Sequence, residues 1–169
     1  LMNKGLEVME AKWLFDVSVD QIEVLVHPQS IIHSAVEYED GAVIAQIGEP
    51  DMKVPIQYAL TYPERIKNDY PKIDFLKRNT MTFEKPDFET FSCLSLAFRA
   101  LKIGGTMPAV LNSANEVAVR KFIEKKIGFL DIAKLIEKTM NAYTVKENYT
   151  LEDLLAADRW ARNFAENNM

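Results

Sequence analysis

The sequence predicts an α+β fold in which a helix and a β-hairpin region come first and a C-terminal four-helix bundle-like domain follows. Three observations lead to this prediction. Apolar residues recur at helical spacing near the start, two β-rich runs flank an Asp-Gly pair, and four amphipathic segments with short links lie beyond Pro86. Four helices of this kind can bury their apolar stripes against one another.

The first helix is predicted over residues 3–15. Leu6, Met9 and Trp13 stand at positions i, i+3 and i+7, which places them along one face. The chain opens directly in this helical pattern with Leu1-Met2. We therefore expect it to be a piece of a longer protein.

The β region is predicted to follow this helix. Residues 21–27 alternate in the manner of a strand until Pro28 breaks the run. Residues 30–38 and 42–47 are also β-rich, and Asp40-Gly41 between them favours a tight hairpin turn. We expect two or three strands here.

Prolines interrupt the chain at short intervals between Gly48 and Pro86, which suits loops and short helices. Residues 55–60 are predicted to form one helical turn or two, and the basic and polar residues 65–79 to connect the two halves. The predicted domain organisation is accordingly residues 1–64, a linker over residues 65–90, and a C-terminal α-helical domain over residues 91–169.

Four helices are predicted past Pro86. Glycines close the first and the second of them, Pro108 is tolerated in a first turn, and Thr150 to Asp153 come close to a capping box at the start of the last. Their expected ranges are 91–101, 108–126, 131–140 and 150–164.

Composition excludes several classes of function. A formal net charge of -5 and a pI near 5.1 give no basic field, so nucleic acid is not an expected partner. No apolar run approaches the ~18 residues that a membrane-spanning helix needs, so no membrane contact is expected. The single cysteine, Cys93, has no internal disulfide partner and is expected to be a small buried residue in a reducing compartment. No Cys/His cluster has the spacing of a zinc site.

Asn3, Lys4 and Glu7 are the first candidate site. A lysine and a glutamate three residues apart on a helix are most often a solvated ion pair. However, a lysine and an asparagine near a helix N-terminus also suit phosphate or sugar hydroxyl groups. Glu7 adds a hard oxygen ligand for a divalent cation. One carboxylate is too few for a metal site, so such a site would have to be completed from outside this chain.

The two histidines, His27 and His33, lie in the β region. A histidine there is more often a hydrogen-bonded structural residue than a catalyst. Neither has a Ser or Cys nucleophile and an acid at recognisable spacing, so a hydrolase triad is not supported. Met52 could pack against a flat cofactor ring, although spacing alone favours a methionine in the core.

Asn112, Asn115 and Glu116 lie on an otherwise apolar predicted helix. Polar groups of this kind need hydrogen-bond partners if they are buried. We expect them to tie helices together, and we assign them no catalytic role.

Four strings, in this order and at these separations, resemble the 1-deoxy-D-xylulose 5-phosphate reductoisomerase family over essentially the whole chain. No single string is specific, but the four together are. They are Asn3-Lys4-Gly5-Leu6-Glu7, His27-Pro28-Gln29-Ser30 with Ile32-His33, Gly48-Glu49-Pro50-Asp51-Met52, and Leu111-Asn112-Ser113-Ala114-Asn115-Glu116.

The resemblance implies a role for each matching residue. Asn3 and Lys4 would bind phosphate or hydroxyl groups of the substrate, and Glu7 would ligate the metal and touch the substrate. His33 matches a histidine implicated in activity, so Glu7 and His33 are the catalytic candidates. Met52 matches a methionine near the nicotinamide. Residues 1–64 would be the end of the catalytic domain.

The implied reaction is the NADPH-dependent conversion of 1-deoxy-D-xylulose 5-phosphate, a small phosphorylated sugar, to 2-C-methyl-D-erythritol 4-phosphate in non-mevalonate isoprenoid biosynthesis. Mg²⁺, Mn²⁺ or Co²⁺ would serve as the metal. The resemblance also implies a homodimer in the bacterial cytoplasm, with a plastid-type organelle as the alternative location. The NADPH-binding domain and the other metal ligands are expected upstream of Leu1, so the isolated chain is expected to be inactive.

An alternative hypothesis is a non-catalytic module, in which the helical bundle binds a partner and residues 3–7 are only a surface face. An Asp-Ser-Glu motif and a glycine-rich strand-turn-helix upstream would favour the enzyme. A native start near Leu1 would favour the module.

Overall fold

The computed structural model describes residues 1–168, and the predicted fold class is confirmed. In chain order, one helix precedes a two-stranded antiparallel sheet and five helices follow it. A 3₁₀ turn, Val19–Gln21, follows the first helix. The elements, in chain order, are α1 (Met2–Phe15), β1 (Ile32–Glu37), β2 (Val43–Ile47), α2 (Lys53–Thr61), α3 (Cys93–Ile103), α4 (Met107–Ile123), α5 (Asp131–Ala142) and α6 (Leu151–Asn167).

The chain forms two compact units. The helical unit consists of residues 1–24 and the described residues from 87 onward, and the hairpin unit consists of residues 25–86. These units differ from the predicted division into residues 1–64, 65–90 and 91–169, which followed the order of the chain. The reason is tertiary: α1 packs on α3 and so belongs with the helices that follow it in space.

The core of the helical unit is built around α4, which packs against α3, α5 and α6. Three alanines spaced four residues apart, Ala157, Ala161 and Ala165, form the buried face of α6. Small side chains at this spacing form one stripe, which lets the backbone of α6 approach that of the neighbouring α4 closely. The larger fully buried side chains are Leu94, Val110, Leu111, Val117, Leu135, Ile136 and Met140.

The ends of these helices follow the predicted signals. Gly104, at φ 73°, ends α3, and Gly105 follows it at φ 53°. Both angles favour glycine. Thr150 accepts a hydrogen bond from the backbone N–H of Asp153, whose side chain reaches back, so the predicted capping box of α6 is confirmed.

The hairpin unit contains the predicted hairpin. Ala35 pairs with Ala45 across the two strands, and Gly41 takes a positive φ of 83° in the turn between them. The strand predicted over residues 21–27 is wrong, because only Val26 finds a partner, in an isolated bridge to Glu84. An alternating pattern indicates β propensity, but it cannot supply a neighbouring strand.

The helices of residues 1–168 include none with both the length and the apolarity that crossing a membrane requires.

Candidate functional site

Asn3, Lys4 and Glu7 meet at the start of α1. The side-chain amide of Asn3 donates to Oε1 of Glu7 at 2.6 Å, and Nζ of Lys4 donates to Oε2 at 2.5 Å. Each carboxylate oxygen therefore receives one donor, and the carboxylate is held in one orientation. The Lys4 and Glu7 side chains are about half exposed, at 51% and 47%. The predicted cluster forms, and it remains open to solvent.

The position of this cluster follows from the packing of α1. Gly5 and Val8 are the buried residues of the helix. A methyl group at Gly5 would overlap the Cβ of Ala97 on α3, so the two helices are in very close contact at this point.

The cluster offers a metal ion one good ligand. A carboxylate oxygen is the donor that Mg²⁺ and Mn²⁺ prefer, and Glu7 is exposed and already oriented. Within residues 1–168 no group of three or more His, Cys, Asp or Glu side chains could hold a metal. Among the described residues, Glu7 could therefore serve a divalent cation only as a single ligand.

His33 and Met52 both belong to the hairpin unit. Nε2 of His33, on β1, lies 3.3 Å from the carbonyl oxygen of Gly48, so this nitrogen carries the proton and donates it. Met52 immediately precedes α2, where Asp51 accepts a hydrogen bond from the backbone N–H of Lys53 at 2.9 Å. Met52 is 69% exposed, so the interpretation as a core methionine is wrong.

His27 is a structural residue, as predicted. Its Nδ1 lies 2.8 Å from the carbonyl oxygen of Thr82, and its ring stacks on Phe83. Nε2 is buried and has no hydrogen-bond partner among the described residues. Sequence reasoning missed these partners because it treated residues 65–90 as a linker.

Of the polar residues predicted on α4, Glu116 ties two helices together, whereas Oδ1 of Asn115 is buried without a hydrogen-bond partner among the described residues. Asn112 donates to Glu116, and Glu116 pairs with Arg162 on α6 at 2.8 Å. Ser113 donates to Asp158 on α6 at 2.5 Å. The hydrogen bond from Arg162 holds the pKa of Asp158 below its ordinary value, and the Ser113 hydroxyl lowers the pKa further.

Lys121 has a role that the sequence did not indicate. Its ammonium group donates to the carbonyl oxygens of Ala165 and Glu166, at 2.7 and 2.8 Å, and of Asn168 at 3.2 Å. Burial lowers the pKa of this amine, and the nearby Lys126 and Arg120 lower it further. A buried cation thus satisfies the last carbonyls of α6.

Cys93 is half-buried, less than predicted, and its side chain packs against the core of the helical unit. Burial raises the pKa of its thiol. A thiol of this kind is a poor nucleophile.

Solved structures share this fold. The chain aligns with 1-deoxy-D-xylulose 5-phosphate reductoisomerase from Zymomonas mobilis in complex with NADPH at a TM-score of 0.92 and 52% identity, over 98% of this chain and 44% of that one. It aligns with DOX-P reductoisomerase in complex with NADPH, fosmidomycin and magnesium at a TM-score of 0.93 and 42% identity, over 98% and 43%. The fold is therefore that of a reductoisomerase segment.

Sequence comparisons identify the family. The model of the DXP reductoisomerase C-terminal domain matches residues 47–164. The reductoisomerases of Acetivibrio thermocellus and Chlorobium chlorochromatii are 59% and 60% identical to this chain. Each alignment covers 166 residues, which are 98% of the chain. The chain belongs to the 1-deoxy-D-xylulose 5-phosphate reductoisomerase family. It spans about 44% of the length of these relatives.

Proposed function

We propose that this chain provides a metal-ligating carboxylate, substrate-binding side chains and a nicotinamide contact to an enzyme that converts 1-deoxy-D-xylulose 5-phosphate to 2-C-methyl-D-erythritol 4-phosphate with NADPH. The observation that carries the proposal is the oriented, exposed carboxylate of Glu7 between Asn3 and Lys4, in a chain of this family.

The three residues of α1 would divide the work of binding. Lys4 provides a positive charge and Asn3 provides amide hydrogens, both of which suit phosphate or hydroxyl oxygens. Glu7 would be one ligand of a divalent cation. The cation, when bound, would polarise the substrate carbonyl and neutralise the negative charge that develops on its oxygen.

The family resemblance gives the two residues of the hairpin unit separate roles. Nε2 of His33 is engaged with Gly48, so its Nδ1 would be the ring atom that meets a substrate hydroxyl group. Met52 offers an exposed thioether, which is polarisable and packs well against an aromatic ring such as a nicotinamide. In the overall reaction the substrate skeleton rearranges to an aldehyde, and a hydride from NADPH and a proton reduce that aldehyde to an alcohol.

We also infer that the isolated chain is inactive, since its described residues provide only one ligand for the metal. The homodimer, the bacterial cytoplasmic location and the place in isoprenoid biosynthesis stay predictions from the family resemblance.

The test is a Mn²⁺ titration of the full-length enzyme carrying Glu7→Gln. This variant keeps the shape of the side chain and removes the charge. We expect Mn²⁺ affinity to fall by roughly tenfold to hundredfold, with turnover falling alongside it. Glu10→Gln, which removes a carboxylate from the same helix, is the control and should change neither quantity.

Unchanged metal affinity and turnover in the Glu7 variant would overturn the assignment. The non-catalytic partner-binding module would then be favoured, because residues 3–7 would be only a surface face.

A further inference from the structure

Residues 78–84 form no helix or strand, yet they contact two separate parts of the hairpin unit. We call this segment the brace. One of its contacts is with the turn over residues 27–30, and the other is with the loop over residues 48–52.

The first contact is a set of hydrogen bonds at Thr82. The side-chain amide of Gln29 donates to the Thr82 hydroxyl at 2.8 Å, and the Thr82 backbone N–H donates to Oε1 of Gln29 at 3.1 Å. The Thr82 carbonyl oxygen accepts from Nδ1 of His27 at 2.8 Å, and Phe83 lies under the same ring with centroids 4.8 Å apart. Two side chains of one turn are therefore fixed to two consecutive residues of the brace.

This turn leads directly into β1. The backbone N–H of Ser30 donates to the carbonyl oxygen of His27 at 3.0 Å, and Ser30 has a φ of 52°, which is unusual for a residue other than glycine. Ile31 is fully buried, and its carbonyl oxygen accepts from Gly48 at 3.0 Å. The conformation of the turn thus sets the direction in which the chain enters β1. This strand carries His33, three residues after Ser30.

The second contact is an ion pair. The guanidinium group of Arg78 donates to both carboxylate oxygens of Glu49, at 2.9 and 3.4 Å. The Glu49 side chain is 20% exposed and the Arg78 side chain is 47% exposed, so solvent screens this pair in part. Glu49 lies three residues before Met52, in the same short loop.

We propose that the brace is a positioning element of the active site, in which Thr82 fixes the turn leading to His33 and Arg78 fixes the loop carrying Met52. This inference rests on the proposed function, because it assigns the brace to the reaction in which these two residues take part. The brace residues themselves touch neither substrate nor cofactor in this role. Together with the bridge between Val26 and Glu84, they tie the turn and the loop to one segment of the chain.

The test uses the full-length enzyme and separates the two contacts. Gln29→Leu removes the amide that Thr82 binds, and we expect kcat to fall roughly tenfold while the KM for NADPH changes less than about twofold. Arg78→Leu removes the ion pair, and we expect the opposite split, with the KM for NADPH raised roughly tenfold and kcat changed less than about twofold.

Conservative variants and matched controls exclude a general loss of stability. Gln29→Glu keeps an acceptor for both the N–H and the hydroxyl of Thr82, and Arg78→Lys keeps the positive charge, so each should recover most of the loss. Gln46→Leu on β2 and Lys77→Leu beside Arg78 change exposed residues of the same unit and should leave both parameters unchanged.

The proposal is overturned if Gln29→Leu and Arg78→Leu leave the kinetics unchanged, or if they lower kcat and raise KM in parallel without recovery by the conservative variants. A wild-type enzyme that does not consume NADPH with this substrate would defeat the proposed function instead. Hydrogen exchange then tests the brace alone: faster exchange confined to residues 26–33 in Gln29→Leu and to residues 48–52 in Arg78→Leu supports it, and unchanged exchange overturns it.

Discussion

The helical unit and the hairpin unit differ sharply in how much apolar surface they bury. The helical unit has a continuous core contributed by α3, α4, α5 and α6. In the hairpin unit, all of whose residues the structure describes, only Ile31 and Pro86 are buried. Most of its large apolar side chains, including Val43, Ile44 and Met52, are more than half exposed.

The candidate site residues are therefore held in place in two different ways. Asn3, Lys4 and Glu7 stand on a helix fixed by close packing, whereas His33 and Met52 stand on segments held by hydrogen bonds and an ion pair. Packed cores resist small displacements, and segments with few buried contacts open more readily. Of the two units of this chain, we expect the hairpin unit to be the more adaptable.

The largest expected effect comes from replacing an isoleucine by alanine, once in each unit. Ile136→Ala truncates a fully buried side chain of the helical unit and should lower the free energy of unfolding by about 3 kcal/mol. Ile44→Ala truncates a side chain that is 65% exposed and should cost less than about 0.5 kcal/mol. Guanidinium unfolding followed by circular dichroism measures both. Equal losses would remove the distinction between the units.

A smaller effect is expected from adding a methyl group. Gly5→Ala forces the new Cβ against Ala97 and should lower the free energy of unfolding by about 2 kcal/mol, although alanine favours a helix more than glycine does. Gly48→Ala in the hairpin unit meets nothing closer than 3.5 Å and should be nearly neutral. Thermal unfolding checks the pair. The double variant Gly5→Ala with Ala97→Gly should recover stability, and failure to recover would show that helix contact is not the cause.

The smallest effect should come from acid titration of Asp158. Its pKa is lower in the folded chain than in the unfolded chain, so its contribution is fully present above about pH 4 and is lost as the pH falls through the lowered pKa. Because the carboxylate is 34% exposed, we expect Asp158→Asn to cost only about 1 kcal/mol at neutral pH.

Unfolding curves of the wild type and of Asp158→Asn, recorded from neutral pH down to about pH 3, should therefore converge at the acid end. A constant gap at every pH would mean that the charge of the Asp158 carboxylate does not contribute to stability.

Several features were predictable because their causes are local. Apolar periodicity defined the four C-terminal helices, the Asp-Gly pair defined the hairpin turn, and the spacing of Asn3, Lys4 and Glu7 placed three side chains within hydrogen-bonding distance. On a helix, residues three and four apart are neighbours whatever the rest of the chain does.

Other features depend on partners far away in the sequence. The contact of Gly5 with Ala97, the hydrogen bonds of Gln29 with Thr82 and the bonds from Lys121 to the end of α6 all join distant segments. No periodicity encodes such pairs, because each depends on how elements meet in space. For the same reason the exposure of Met52 could not be deduced from its own neighbours in the chain.

The chemical reactivity of the Lys121 amine reports whether the helical unit is intact. Its amine is enclosed and fully engaged with α6, whereas most lysines of the described chain project into solvent. A reagent that acylates amines reaches this nitrogen once the C-terminal end of α6 has moved away from α4. Labelling at Lys121 is compared with labelling at an exposed lysine such as Lys77. The ratio would therefore report the fraction of molecules in which the end of α6 has detached.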